Sequence, residues 1–200
     1  MFLAFYNKAH VGDTLLLLKK ETTENVSSES KVDVTRVFNT KTNETLAYNI
    51  FNASSYVSFE KDGQQFLTQE AVDTINRLLD TQNFEHISVD NTPKFVVGLV
   101  EECVDHPDSD HLHVTKVNVG GGEVLQIVCG ASNVATGQQV VVAKIGAVMP
   151  SGLIIEPGQL RGVDSNGMLC SARELGLVQD NSAKGILVLD NRTIGEPFFN

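Results

Sequence analysis

The sequence is poor in the residues that mark several classes of protein. It has no tryptophan, only five prolines and three cysteines, and aromatic residues make up 6% of its 200 positions. The cysteines cannot all pair and no CxxC motif occurs, which argues against a zinc ribbon or a redox dithiol. Their neighbours are largely apolar, so we expect reduced, mostly buried thiols in a cytoplasmic protein.

Long hydrophobic runs and a surplus of positive charge are also missing. The longest leucine run, Leu15–Leu18, is far too short to span a bilayer, and the N-terminal MFLAFYNKAH does not resemble a secretory signal. We therefore expect no membrane partner. Fifteen lysine and arginine residues stand against 25 aspartate and glutamate residues, which argues against a protein that binds nucleic acid by bulk charge.

The first part of the chain predicts an α+β domain over residues 1–88, and no motif assigns it a role. The polar segment 21–30 predicts an exposed loop, whereas the alternating KVDVTRVFN predicts a half-buried strand. A helix is expected after the N-cap residue Thr68, with apolar residues at helical spacing until about Asn83. The predicted strands cover residues 2–6, 11–18, 31–39, 45–51 and 56–59.

The character of the sequence changes after the polar linker Ser88–Pro93. Fourteen of the sixteen glycines follow it, and glycine turns between short valine-rich strands are typical of a small barrel, here assigned to residues 91–200. Gly120–Gly122 predicts a hairpin turn. The alternative is a phosphate-binding loop, which needs a following helix in place of the strand-like Val124–Cys129. The predicted strands cover residues 94–104, 113–119, 124–129, 139–143 and 186–189.

Residues 161–177, RGVDSNGMLCSARELGL, combine glycines, short polar side chains and apolar anchors. Gly162 and Gly167 permit backbone angles closed to other residues, and the polar residues between them can bond backbone or ligand. The pattern predicts a tight loop followed by one or two helical turns from Ser171 to Leu175, ended by Gly176. Such a segment either seals a barrel or forms a binding surface.

Metal and catalytic interpretations are weak. The DHPDSDHLH segment is dense in metal-ligand types, but no second ligand cluster accompanies it, so we expect no metal and no cofactor. GVDSNG resembles the GxSxG elbow of serine hydrolases only loosely. Cys170 has apolar neighbours, which favour an inert thiol over a nucleophile. We therefore expect no enzymatic activity.

Four motifs, spread in order over residues 94–190, together resemble a known family. HPDSDHLHVTKVNVG, QIVCGASNV, GQQVVVAKIGAVMPSG and LRGVDSNGMLCSARELGL are similar to the tRNA-binding domain related to EMAP-II. That domain occurs in bacterial phenylalanyl-tRNA synthetase beta subunits, in some methionyl-tRNA synthetases and in free-standing proteins. With its unrelated N-terminal part, the chain resembles the YtpR-type stand-alone members.

The resemblance implies an OB-fold, a five-stranded Greek-key barrel, within a mostly β chain. It also implies non-catalytic binding of tRNA by shape and backbone instead of by base sequence. The family's RNA-binding motif positions fall on Lys116, Asn133, Ser165, Met168 and Ser171. We add Lys144 and Arg161 to this predicted surface because they are the nearest cations.

Four of the predicted contacts have structural alternatives. Lys116 would then be a solvated strand residue, Asn133 a turn cap, Met168 a core residue and Ser171 a helix N-cap. From residue 91 onward, seven lysine and arginine residues stand against twelve aspartate and glutamate residues, so RNA affinity should be modest and sensitive to salt. The alternative function is an OB-fold protein-interaction adaptor with little or no RNA affinity.

Two further partners are expected. Phe198 and Phe199 would suit a homodimer contact after the barrel, although they would equally suit packing on their own barrel. The N-terminal domain would dock a partner protein or a second protomer.

Overall fold

The computed structural model of the protein describes residues 1–19, 25–178 and 185–199. They divide into two units, Met1–Thr92 and Pro93–Asn200. Both units are built mainly from antiparallel strands. Within the described ranges, no helix is both long and apolar enough to cross a membrane.

The N-terminal unit is a six-stranded antiparallel sheet with one long helix. The strands run in the order β3-β4-β5-β2-β1-β6, and leucine, tyrosine and isoleucine side chains from the central strands are buried. The strands are β1 Leu3–Tyr6, β2 Thr14–Leu18, β3 Val26–Lys31, β4 Val34–Asn39, β5 Thr45–Phe51 and β6 Gly63–Gln65. The helices are α1 Lys8–Val11, the 3-10 turn Ala53–Ser55 and α2 Gln69–Thr81.

The predicted helix is confirmed as α2. The side chain of Thr68 caps it by accepting a hydrogen bond from the Ala71 backbone N–H at 3.2 Å. Val72, Ile75 and Leu79 recur at helical spacing and are buried against the sheet. The cap and the apolar stripe are both local signals, which is why the sequence alone was sufficient to predict this helix.

Two predictions in this unit are wrong, one of a loop and one of a strand. The sequence of the 21–30 segment predicts a loop, yet Val26–Lys31 forms β3, an edge strand whose side chains are mostly exposed and so show no apolar alternation. Residues 21–24 lie outside the described residues. The predicted strand 56–59 does not form, and β6 lies further along the chain.

Two strand boundaries in this unit also differ from the prediction. The predicted strand 31–39 is broken by a tight turn at Val32 and Asp33, because Val32 has a φ of 48° and is 84% exposed. The predicted strand 11–18 begins only at Thr14, since a single helical turn, α1, occupies the preceding residues.

The C-terminal unit confirms the predicted OB-type barrel. Its main sheet has the order β13-β10-β7-β8-β9, and buried valines from these strands fill the interior. Numbered within the barrel, this is the order 5-4-1-2-3, the Greek-key connectivity of an OB-fold. The strands are β7 Phe95–Asp105, β8 His113–Asn118, β9 Val124–Cys129, β10 Gln139–Ala143, β11 Gly158–Leu160, β12 Val163–Ser165, β13 Met168–Leu169 and β14 Val188–Leu189.

The long strand β7 changes partners along its length and carries a bulge in its second part. Residues 95–99 pair with β10, and residues 99–105 pair with β8. The β7–β8 register shifts between Val100 and Glu102, so Glu101 is an extra residue on the β7 side. β8 ends at Asn118, opposite Leu99, so one edge of the first part of β7 is left to another segment.

The C-terminal segment takes the place that β8 leaves. The Val97 N–H donates to the Glu196 carbonyl at 3.0 Å, the Gly195 N–H donates to the Val97 carbonyl at 2.8 Å, and the Phe198 N–H donates to the Phe95 carbonyl at 2.9 Å. The segment also crosses the predicted Gly120–Gly122 hairpin turn, which is confirmed. A Cβ on Gly120 would lie 2.7 Å from the Gly195 Cα, so this crossing requires glycine.

Gly98 is the residue where the barrel interior is most crowded, and this generates a stability prediction. A Cβ there would lie 2.6 Å from Val142 Cγ2 and 2.7 Å from Val117 Cγ1, both in the packed core. We expect Gly98→Ala to cost about 1–3 kcal/mol of unfolding free energy through overpacking. Gly158→Ala is the matched control, because a Cβ at Gly158 meets nothing within 4 Å. Denaturant unfolding followed by circular dichroism measures both, and equal stability of the two variants would contradict the packing argument.

Asp13 generates a pH prediction for the N-terminal unit. Its carboxylate accepts hydrogen bonds from the Ser54 hydroxyl at 2.7 Å, the Ser54 N–H at 3.0 Å and the Tyr6 hydroxyl at 2.9 Å. These contacts, the Ser54 hydroxyl foremost, lower the pKa of Asp13 below its ordinary value of 3.8. The resulting stabilisation is therefore complete above that ordinary value and is lost as the pH falls through the lowered pKa.

Asp13→Asn should accordingly lower the melting temperature at pH 7 and remove part of the loss of stability that the wild type shows on acidification. Tyrosine fluorescence reports this unit alone, since all three tyrosines lie within residues 1–92. Asp73→Asn, at an exposed position on α2, is the control. An Asp13→Asn penalty that is the same at pH 7 and pH 3 would refute the assignment.

Candidate nucleic-acid interface

Lys116 lies on the outer face of the barrel, in the middle of β8. Its neighbours in register are Gln126 on β9 and Glu102 on β7. The Lys116 ammonium forms an ion pair with the Glu102 carboxylate at 2.5 Å, and just over half of the lysine side chain remains exposed. The inward-facing residues on either side, Thr115 and Val117, are fully buried, so the strand presents Lys116 to solvent from a rigid base.

Lys144 follows β10 and forms a second ion pair across the barrel surface. Its ammonium lies 2.6 Å from the Glu123 carboxylate at the start of β9. A quarter of the Lys144 side chain is exposed. The backbone of Lys144 is anchored because its N–H donates to the Lys94 carbonyl at 2.8 Å.

Arg161 occupies the turn of the β11–β12 hairpin. Arg161 and Gly162 both have positive φ, 46° and 81°, as a two-residue hairpin turn of the type I′ class requires. Arginine is unusual in such a turn. Its side chain is anchored here because the guanidinium donates a hydrogen bond to the Asp108 carbonyl at 2.9 Å. The residue as a whole remains exposed.

His106 also fastens this hairpin, and sequence reasoning missed its role. The ring is 4% exposed, its Nδ1 accepts from the Asp108 N–H at 3.0 Å, and its Nε2 lies 3.1 Å from the Leu160 carbonyl, to which it donates. The DHPDSDHLH segment therefore joins a loop to the hairpin through a histidine whose two nitrogens are both bonded. Within the described ranges, no group of three or more His, Cys, Asp or Glu side chains is arranged to hold a metal ion.

Met168 and Ser171 line a cleft of about 400 Å³ at another part of the barrel surface. The remaining walls come from the end of β9 and the loop after it, and from Gly185 and Ile186. Met168 is half-buried and packs on the second apolar cluster of the unit, so it serves the core and the cleft together. The core alternative for Met168 is thus partly realised.

Asn133 belongs to the rim of the same cleft through its contact with Ile186. Its side-chain amide donates to the Ile186 carbonyl at 3.0 Å and accepts from the Ile186 N–H at 2.9 Å. Gly185 must be glycine here, because a Cβ would lie 2.1 Å from the Asn133 Oδ1. The amide of Asn133 is therefore a backbone clamp, as the turn-cap alternative anticipates.

Ser171 begins a single hydrogen-bonded turn, which Gly176 ends with a φ of 72°. The Ser171 hydroxyl accepts from the Glu174 N–H at 3.2 Å, and the Glu174 carboxylate accepts from the Ser171 N–H at 2.7 Å. This reciprocal arrangement is a capping box. The predicted helical turns are therefore one turn, and the N-cap alternative for Ser171 is realised.

Ser165 lies inside the wall of the barrel and is 5% exposed. Its hydroxyl accepts from the Val128 N–H at 3.1 Å and donates to the Gly167 carbonyl at 3.3 Å. Next to it, the Asn166 N–H donates to the Gln126 carbonyl at 2.8 Å. These bonds close the barrel between β9 and residues 164–167, so the Ser165 side chain does not present itself to a ligand at the surface.

The predicted contact residues thus fall into groups. Asn133, Met168 and Ser171 gather at one cleft. Lys116 lies on the β8–β9 surface, which is linked to the β11–β12 hairpin of Arg161 because the Gln126 side chain donates to the Asp164 carbonyl at 2.9 Å. Gln126 is a polar residue of this surface that sequence reasoning missed, since nothing in a β-strand pattern separates it from other outward-facing positions.

Within the part of the chain that the structure describes, neither nucleophile candidate is hydrogen-bonded to a histidine. Both hydrogen bonds of the Ser165 hydroxyl go to backbone groups and not to a histidine. Burial raises the pKa of the Cys170 thiol to about 12, so it is protonated and weakly nucleophilic at neutral pH. Burial also raises the pKa of the thiols of Cys103 and Cys129.

A closed OB-type barrel with this cleft and these loops defines a class of nucleic-acid and oligosaccharide binding modules. A family model described as "Putative tRNA binding domain" matches residues 95–196, about half of the chain, and the chain belongs to this family. The resemblance inferred from the four sequence motifs is thereby confirmed. A second model, described as "Domain of unknown function", matches residues 21–90.

The two sequence relatives described next agree with this assignment. The chain is 53% identical over 94% of its length, and 94% of the relative's length, to a Bacillus subtilis protein named "Putative tRNA-binding protein YtpR". It is 51% identical over 55% of its length to 14% of the phenylalanine–tRNA ligase beta subunit of Oceanobacillus iheyensis. A solved structure, a MetRS related protein from Pyrococcus horikoshii, aligns with 56% of this chain and 96% of its own at 20% identity and a TM-score of 0.39.

The closure by Ser165 generates a prediction. Ser165→Ala leaves the buried Val128 N–H without its acceptor, and we expect a loss of about 1–3 kcal/mol of unfolding free energy. Ser151→Ala, in an exposed turn, should change stability by less than about 0.5 kcal/mol. Urea unfolding followed by circular dichroism makes the comparison. A Ser165→Ala variant as stable as the wild type would contradict this structural role. The hydroxyl would then again be a candidate ligand contact.

Proposed function

We propose that the protein binds tRNA through its C-terminal unit and catalyses no reaction. The observation that carries the proposal is that residues 95–196, which belong to a tRNA-binding family, form a closed barrel with positive side chains fixed on its outer strands and turns. The names of the relatives, a tRNA-binding protein and a tRNA ligase subunit, support the same ligand. The protonated, buried thiols support a non-catalytic role.

Recognition would rest on the folded shape and the backbone of tRNA. Lys116, Lys144 and Arg161 are cations suited to phosphate oxygens, which position an RNA without reporting its sequence. The amide of Asn133 and the hydroxyl of Ser165 are both bonded to backbone groups, which leaves few side chains free to read base edges. Structured RNA presents phosphates and 2′-hydroxyls more readily than base edges, which suits such a surface.

The cleft would complete the interface. Met168 supplies a polarisable apolar contact there, and the backbone held by Asn133 and Ser171 forms the rim. In this proposal Asn133 and Ser171 act mainly by shaping the cleft.

The partner and location assignments complete the proposal. The N-terminal unit would dock a partner protein or a second protomer, and it has a cleft of about 600 Å³ beside α2 that includes the exposed Phe66. Phe198 packs on the barrel. Phe199 lies edge-on to the Phe95 ring of the barrel, with 5.3 Å between centroids, yet it is 43% exposed and would meet a second copy in a homodimer. A cytoplasmic location follows from contact with tRNA. Light scattering that shows only a 22 kDa species at micromolar concentration would contradict the homodimer.

The test of tRNA binding is a mobility-shift titration of the full chain with bulk tRNA across a salt series. We expect affinity to fall as salt rises. The slope of log affinity against log salt concentration should become shallower by about 0.7–0.9 for each phosphate contact removed, as in Lys116→Ala. Lys61→Ala, an exposed lysine of the N-terminal unit, is the control. If no shift appears even at low salt, the proposal is overturned and the adaptor alternative is supported.

A further inference from the structure

The two lysines of the proposed RNA surface are already neutralised in the free protein. The Lys116 ammonium lies 2.5 Å from the Glu102 carboxylate, and the Lys144 ammonium lies 2.6 Å from the Glu123 carboxylate. In both pairs nearly half of the glutamate side chain is exposed. A phosphate oxygen that approaches either lysine therefore meets a carboxylate already paired with the same ammonium.

The fold places Glu102 in this position by means of the bulge in β7. Val100, before the bulge, is fully buried and faces Val117 inside the barrel. Strict alternation would turn residue 102 inward as well, where an unpaired carboxylate is costly to bury. The extra residue, Glu101, shifts the register, so that Glu102 faces outward directly opposite Lys116.

The surrounding contacts leave both glutamates, Glu102 and Glu123, oriented toward their lysines. Glu101, the bulged residue, accepts a hydrogen bond from the Asn118 side-chain amide at 2.8 Å and so does not compete for the ammonium. Glu123 is fixed at the β8–β9 hairpin, where its N–H donates to the Gly120 carbonyl at 3.0 Å and its own carbonyl accepts from the Val119 N–H at 3.0 Å. The backbone of both glutamates is thus fixed, that of Glu102 by strand pairing and that of Glu123 by its hairpin hydrogen bonds.

We propose that Glu102 and Glu123 are built-in competitors of RNA phosphate, which hold the lysines in the free protein and lower the affinity for tRNA. This inference rests on the proposed function and adds a device that sets its strength. A bound phosphate must displace each carboxylate from its lysine. It then lies close to the negative charge of that carboxylate, which weakens binding.

The opposite role is a positioning one, in which the glutamates hold the lysines in a conformation ready for phosphate. The two roles predict opposite signs when the charge of the glutamate is removed. Glutamine keeps the size of the side chain and an oxygen that can accept from the lysine, so Glu102→Gln and Glu123→Gln remove the charge with little change in packing.

The experiment measures the affinity of the full-length variants for bulk tRNA by mobility shift across a salt series, with circular dichroism as the check of folding. We expect Glu102→Gln and Glu123→Gln each to raise the affinity by about two- to fivefold, the range that an exposed ion pair supplies. The gain from Glu102→Gln should disappear when Lys116→Ala is added.

Glu156→Gln is the matched control, because it removes the same charge from an exposed position in the same unit, and Lys116 and Lys144 are paired with other residues. An equal gain in this control would show that net charge alone is responsible, which overturns the inference. A loss of affinity in Glu102→Gln would establish the positioning role and overturns it too. Absence of binding in the wild type and in every variant at low salt has a different signature, and it overturns the proposed function together with the inference.

Discussion

The closure of the barrel between β9 and residues 164–167 is the contact on which the rest of the C-terminal unit depends. It is built from the buried hydroxyl of Ser165 and from the backbone bond between Asn166 and Gln126. Gly167 lets the chain pass close to β10, because a Cβ there would lie 2.9 Å from the Ala143 carbonyl. The closure fixes the β11–β12 hairpin on one side and the Met168–Ser171 cleft wall on the other, so both parts of the candidate interface share one support.

Local signals in the sequence were sufficient for much of the architecture. The cap and apolar stripe of α2, the valine-rich barrel strands and the triple-glycine turn are encoded by neighbouring residues, and the structure confirms them. The errors fall where neighbours carry no signal. β3 is an exposed edge strand without apolar alternation, and β11 and β12 are so short that only their pairing and the anchoring of Arg161 define them.

The candidate site could be predicted as a set of segments but not as a set of free side chains. The motifs point to loops of the candidate interface, yet the polar groups of Asn133, Ser165 and Ser171 bond the protein's own backbone. Short polar residues beside glycines have the same appearance in a sequence whether they bond a ligand or a turn. The pairing of Lys116 with Glu102 was beyond prediction for another reason, since it depends on a one-residue bulge that alternation alone does not reveal.

The pairing of the C-terminal segment with β7 has a consequence for the order of folding. The contacts of Val97 with Gly195 and Glu196 join positions about a hundred residues apart, and closing so long a loop costs entropy before any bond is gained. β7 must therefore wait with one edge unpaired while the nearer hairpins assemble. During that interval the open edge at residues 95–98 is a template for a strand of another chain, and the Gly120–Gly195 crossing can form only when the native segment arrives.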